Sequence, residues 1–276
     1  MRIDRKPLLT IAFVLISSIA VAANVRGGQP ASSAAVDTST VASASTAATD
    51  STASKEAATT SSASTAPKDA ATTPASPPVA AAPKLPLAGV DVLVDPGHGG
   101  TDPGAMRAGI EEKNITLAVS LSLRTKLRAQ GARVEMTRES DVPVALLDRL
   151  ADSNKLCPDL FLSVHVNAVR KATVTGIETY YFDKRSEPLA NVVLDTLSSR
   201  LGENANWSHE RSLRVLHENR APATLAEIGY LTNPGTRDRL KSPVYQDKVA
   251  DALARSLISY FAQPGVPRGC QRSGVN

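Results

Sequence analysis

Residues 89–100 read GVDVLVDPGHGG. Four of the five residues at 90–94 are apolar, and Asp95, Pro96 and Gly97 follow at once. A short apolar run stopped by turn residues reads as a buried strand ending in a tight loop. Residues 115–130 place Ile115, Val119, Leu123 and Leu127 at helical spacing and stop at Gly131. Residues 132–137 read as a second strand, 144–156 as a helix with Leu146, Leu147 and Leu150 inward, and 159–165 as a third strand. The order strand-helix-strand-helix-strand requires a largely parallel sheet with right-handed crossovers. Further strands are expected at 176–182 and 223–229, and helices at 189–201, 213–217 and 245–261. The expected fold is α/β: a single domain whose mostly parallel, twisted sheet of about five or six strands carries helices on both faces.

The rest of the chain is built differently. Residues 1–23 have a basic start (Arg2, Arg5, Lys6), an apolar run from Leu8 to Ala22 and a small-x-small end at Ala20-Val21-Ala22. That is the three-part pattern of a secretory signal peptide, with an uncleaved anchor as the alternative. Residues 31–80 contain 41 Ala, Ser, Thr or Pro in 50 and no aromatic residue, so they cannot bury enough apolar surface to fold. The expected organisation is a signal peptide at 1–23, a disordered linker at 24–84, a catalytic domain at 85–262 and a flexible tail at 263–276. Export to the periplasm or the extracellular cell wall follows, with membrane attachment only if the first segment is retained. The two cysteines read as a small buried thiol at Cys157 and an incidental Cys270, a pairing between them being the alternative. The net charge is +4, and the folded part holds only half of that surplus. No basic stripe marks it for nucleic acid.

In open parallel sheets, sites form beyond the carboxyl ends of the strands. There the sequence places His98 after the first strand, His165 at the end of the third, Glu227 near the end of the fifth, and Glu111-Glu112 ahead of the first helix. Two His and a carboxylate are a ligand set for catalytic zinc, and a further carboxylate would move protons. Either Glu111 or Glu112 completes the set, with Glu227 as the base. His98 lies among glycines that let the backbone approach a ligand closely, and the same loop also suits an anion. A buried His165 or Glu227 needs a partner.

The segments VLVDPGHGGTDPGA (92–105), GIEEKN (109–114), MTRESD (136–141), DLFLSVHVNA (159–168), GIETYYF (176–182) and VLHENRAPATLAEIGYLTNP (215–234) stand in one order. Together they resemble the zinc-dependent N-acetylmuramoyl-L-alanine amidases of the cell-division and spore-cortex type. The resemblance implies zinc on His98, Glu112 and His165, choosing Glu112 because Lys113 follows it, and Glu227 as the catalytic carboxylate. It implies peptidoglycan as substrate and cleavage of the amide between the muramic lactyl group and L-alanine. Gly99, Gly100 and Asn167 would shape the rim, Asn167 bracing His165. Residues 183–211 have room for one helix and a loop but not for an added occluding helix, so an open site on a monomer with no activator is expected. A zinc carboxypeptidase reading wall peptides, with Arg138 or Arg220 meeting a carboxylate, and a non-catalytic wall-binding module are the rival functions.

Overall fold

The computed structural model describes residues 84–270. The signal peptide, nearly all of the linker and residues 271–276 lie outside the described residues.

The first strand forms as expected: β1 (Asp91–Pro96) is buried from Val92 onward. It is followed by a two-stranded hairpin, β2 (Met106–Arg107) and β3 (Ile110–Glu111). Ala108 and Gly109 turn that hairpin, both with positive φ, as the tight hairpin turns require. The chain then enters α1 (Glu112–Ala129), which buries Ile115, Val119, Leu123 and Leu127. Next come β4 (Arg133–Met136), α2 (Leu146–Leu156), β5 (Leu160–Asn167), β6 (Ile177–Tyr181) and α3 (Glu187–Leu201). Then follow β7 (Ala205–Glu210), β8 (Ala223–Tyr230), α4 (Pro234–Leu240) and α5 (Pro243–Phe261). Six strands make one sheet in the order β4-β1-β5-β8-β6-β7. Every pairing is parallel except β6 with β8.

The two faces of this sheet are covered unequally. Val92, Val94, Leu162, Val164, Ile177, Ala226 and Ile228 point to one side and pack under α1, α3 and α5 in the main core. Leu93, Phe161, Ala223 and Leu225 point to the other, where a smaller cluster with Val215 and Leu216 covers part of the sheet. Polar residues occupy the rest of that second face. Along β5 the period of two puts Ser163, His165 and Asn167 on it.

Several elements depart from the sequence expectation. Residues 205–210, expected in a loop, form an edge strand; ANWSHE lacks an apolar alternation because neither of its faces is buried. Residues 213–217, expected as a short helix, make a single turn closed by the Leu216 and His217 N–H groups on the Leu213 carbonyl. Helix α4 was unexpected; Asn233 caps it by accepting from Thr236 N at 2.9 Å, with Pro234 opening its first turn. In α2, Leu150 turns inward as expected, but Leu146 and Leu147 are 57% and 61% exposed. The buried arc holds Arg149, Leu150 and Ser153. At about 100° per residue, Leu147 is rotated off that arc, and Leu146 lies at the open first turn.

Within the segment expected as a free tail, residues 263–270 are tied down. The Tyr260 hydroxyl donates to the Pro267 carbonyl, Arg268 pairs with Asp159 at 2.8 Å, and Gly269 N donates to the Asp159 carbonyl at 3.1 Å. Cys157 and Cys270 form a disulfide across 113 residues of sequence. Cys157, expected as a buried thiol, is instead the left-handed C-cap of α2.

Candidate metal centre and active site

The loop after β1 turns where no side chain would fit. A Cβ on Gly97 would fall 2.4 Å from His165 Cε1, and one on Gly104 2.6 Å from both Glu112 Oε2 and His98 Cδ2. Between them His98 takes φ 60°, a conformation that costs energy for any residue with a Cβ. Two buried guanidiniums hold the loop by its carbonyls. Arg138 donates to the Pro96 and Gly97 carbonyls at 3.0 and 2.8 Å. Arg149, on α2, donates to those of Pro96 and His98 at 2.8 and 2.7 Å, and pairs with Asp95 at 2.5 Å. Burial works to raise the Asp95 pKa, but Arg149, Ser163 and Thr137 together hold it below the usual value. Arg138 is therefore occupied with the loop.

Into this frame the hairpin delivers Glu112 at the start of α1, while Glu111 stays on β3 beside Lys113. Glu112 Oε1 lies 3.2 Å from His98 Nε2 and 3.0 Å from His165 Nδ1. It also accepts from Val166 N at 2.9 Å, and Oε2 accepts from Ala105 N at 2.8 Å. Both carboxylate oxygens are thus fixed by backbone. His98 Nδ1 meets Asp102 Oδ2 at 2.8 Å, which leaves Nε2 for the cluster. Burial opposes ionisation of Glu112, and the bonds from His165 and His98 outweigh it, so its pKa is lowered. His98 moves the other way: burial works to lower its pKa, but Glu112 and Asp102 raise it. Among the described residues, His98, Glu112 and His165 offer three donor atoms within 4.8 Å of one another. Two imidazoles and a carboxylate, aimed inward across bare glycines, are a donor set that suits zinc.

Glu227 is placed by register. It stands opposite His165 across β5 and β8, and opposite Glu178 across β8 and β6. Its Oε2 is shut from solvent and has no hydrogen-bond partner, an arrangement that is costly unless the atom is used. Burial, then the charges of Glu112 and Glu178, push its pKa well above the usual carboxylate range.

Glu178 was not expected. Its buried carboxylate collects Asn167 Nδ2 at 2.9 Å, Tyr180 Oη at 2.5 Å, Trp207 Nε1 at 2.9 Å and the Tyr230 hydroxyl. Burial and the bond to Glu178 push both tyrosine hydroxyls far above their ordinary pKa. Asn167 therefore braces Glu178 rather than His165. The only hint in the sequence is a charged residue inside the apolar GIETYYF run. Gly99 and Gly100 lie in the loop after β1, where an added Cβ would meet the Val142 carbonyl or Pro143 rather than His98, Glu112 or His165. His209 stacks on Tyr180, and His217 meets Phe182 edge-on, so neither joins the cluster. The Arg220 carbonyl accepts from Arg185, and its N–H donates to Asn154 Oδ1.

The family described as N-acetylmuramoyl-L-alanine amidase matches residues 92–259. The chain belongs to that family. A germination-specific N-acetylmuramoyl-L-alanine amidase of Bacillus subtilis is 34% identical over 201 residues, 66% of this chain and 84% of that protein. The crystal structure of an N-acetylmuramoyl-L-alanine amidase from Clostridium difficile 630 superposes with a TM-score of 0.62 at 33% identity, covering 65% of this chain and all of the other. The amidase AmiC2 of Nostoc punctiforme gives 0.61 at 32%, over 63% of this chain and 98% of its own. The fold and the amidase class read from the sequence therefore stand, and this amidase acts on peptidoglycan.

Proposed function

We propose that this amidase uses zinc, held by His98, Glu112 and His165, with Glu227 as its proton-transferring group. The convergence of three candidate metal donors beside a carboxylate whose Oε2 is buried without a hydrogen-bond partner carries this reading. When bound, zinc supplies an acidified water and a Lewis acid for the amide carbonyl. Glu227 receives a proton at Oε2 and returns it to the nitrogen of the leaving L-alanine. A carboxylate whose pKa lies well above the usual range is suited to both steps near neutral pH. Glu112 stays fixed by the Ala105 and Val166 N–H groups, and Asp102 keeps His98 Nε2 turned to the cluster. Arg138 and Arg149 hold the loop and take no part in proton transfer.

Further expectations from the sequence belong to the same proposal. Residues 1–23 direct export, 24–84 connect, and the domain works in the periplasm or cell wall. The described residues contain no helix long and apolar enough to cross a membrane. Between residues 183 and 211 lie only α3 and β7 with their connections, which supports a site open without an activator; a monomer is part of the same proposal. Metal analysis of the purified chain should find about one zinc per chain. Glu227→Gln should keep that zinc and lose release of stem peptides with a free L-alanine amino group, read by mass spectrometry. Retained hydrolysis in Glu227→Gln would sink the assignment. Release of single terminal amino acids would favour the carboxypeptidase.

A further inference from the structure

One rung of the sheet runs through His165, Glu227, Glu178 and Trp207 on β5, β8, β6 and β7. Paired residues on neighbouring strands face the same side, so the rung carries the metal cluster at one end and Trp207 at the other. Strands lie about 4.8 Å apart, which sets the Trp207 backbone about 10 Å from that of Glu227. Trp207 is the only tryptophan of the chain and is 50% exposed. Its indole N–H is spent on Glu178 at 2.9 Å, so the ring is anchored by one edge to the carboxylate beside Glu227. His209 lies 5.7 Å from it, tilted by 35°, and stacks in turn on Tyr180 at 6.3 Å. Arg211 caps Tyr180 at 5.6 Å. The result is an aromatic strip along the outer strand, on the thinly covered face and continuous with the candidate active site.

We infer that this strip binds a sugar ring of the glycan strand, an N-acetylhexosamine next to the muramic unit whose amide is cut. The inference rests on the amidase reading and adds a subsite to it. A pyranose presents an apolar C–H face with polar groups around its rim, and a fixed indole beside His209 complements both. The glycan backbone is uncharged, whereas stem peptides carry carboxylates that call for cations. The strip's own cation, Arg211, is already stacked on Tyr180. An anchored ring also spares the ligand the entropy of ordering it. Because β6 separates Glu227 on β8 from Trp207 on β7, the neighbouring ring, and not the reacting one, is set against Trp207.

The single tryptophan gives a direct readout. Full-length Glu227→Gln protein is titrated with a peptide-free N-acetylglucosamine tetramer and separately with a free stem tetrapeptide, while tryptophan emission is followed. A saturable change with the sugar and none with the peptide is expected. A change with the peptide alone, or with neither, overturns the subsite. In otherwise wild-type protein, Trp207→Ala should raise KM about three- to ten-fold on glycan chains of several disaccharides. It should leave kcat unchanged there, and leave both constants unchanged on a single muramyl peptide. Trp207→Phe should recover most of that KM. An equal fall in kcat on both substrates would show that Trp207 acts only through Glu178 and would refute the subsite. If sugar binding persists while wild-type protein releases no stem peptide, the amidase reading fails and the subsite stands.

Discussion

Replacing Arg149 with Leu removes the partner of a carboxylate that has no access to water. Asp95 is fully buried, and Arg149 pairs with it at 2.5 Å while also holding the Pro96 and His98 carbonyls. Ser163 and Thr137 would still donate to Asp95, but they bring no charge. Breaking a buried pair from one side costs about 3–5 kcal/mol, and the carbonyl contacts add roughly 1 kcal/mol. The expected loss at pH 7 is therefore about 5 kcal/mol, measured by urea unfolding. Its pH dependence identifies the cause. In the parent, the Asp95 pKa is lowered, so its contribution is present above the unfolded value of about 3.9 and is lost as pH falls through the folded value. In Arg149→Leu, burial acts without the opposing charge and raises that pKa. The variant's own penalty is then absent below about pH 3.9 and grows as pH rises, so the deficit should be smaller near pH 4, where only the parent's pairing and the carbonyl contacts are missing, and largest by pH 7. Adding Asp95→Asn should return at least half of it. Because Arg149 holds the His98 carbonyl, zinc affinity measured against a competing chelator should fall by about ten-fold or more. A deficit under about 1 kcal/mol at pH 7, or one that does not change from pH 4 to pH 7, would refute the reasoning.

Three other substitutions test packing, backbone strain and the disulfide. Gly104→Ala should cost more than 2 kcal/mol and weaken zinc binding, because φ is +66° and the new Cβ would strike Glu112 and His98. Gly109→Ala, at φ +75° with open space around it, should lose only about 1–2 kcal/mol and keep its zinc; equal metal loss in both variants would argue against the steric explanation. Cys157→Ser should lower unfolding stability by about 2–5 kcal/mol, and the parent under reductant should unfold at the same denaturant midpoint as the variant. Coincident curves for oxidised parent and variant would show that the disulfide adds nothing.

What could be read from the sequence was what local pattern controls. The run 90–94 ending in Asp-Pro-Gly marks its strand, the spacing of Ile115, Val119, Leu123 and Leu127 marks its helix, and the strand ends place His98, His165 and Glu227 on one rim. The choice between Glu111 and Glu112 was beyond local pattern, since a hairpin of two-residue strands decides which side chain enters the cluster. Glu178 was invisible for a related reason: its neighbours Asn167, Trp207 and Tyr230 come from three strands, and only register brings them together. The same holds for Arg138 and Arg149, whose guanidiniums bond carbonyls far away in sequence. Strand β7 escaped notice because an edge strand can remain polar on both sides. The Cys157–Cys270 pairing depends on where residues 263–270 run, which Asp159 and Tyr260 decide.

Helix α2 shows how the reacting face is kept in place without a thick core. It buries only Arg149, Leu150 and Ser153, yet it carries the guanidinium that grips the His98 loop. The disulfide is anchored at its last turn, through Cys157. A covalent link thus replaces part of the apolar contact that a better-covered helix would have. Such a link lasts in oxidising surroundings and is lost in reducing ones. On the proposed reading, export and the hold on the His98 loop are coupled: molecules retained among reduced thiols would hold α2, and with it His98, by a weaker grip.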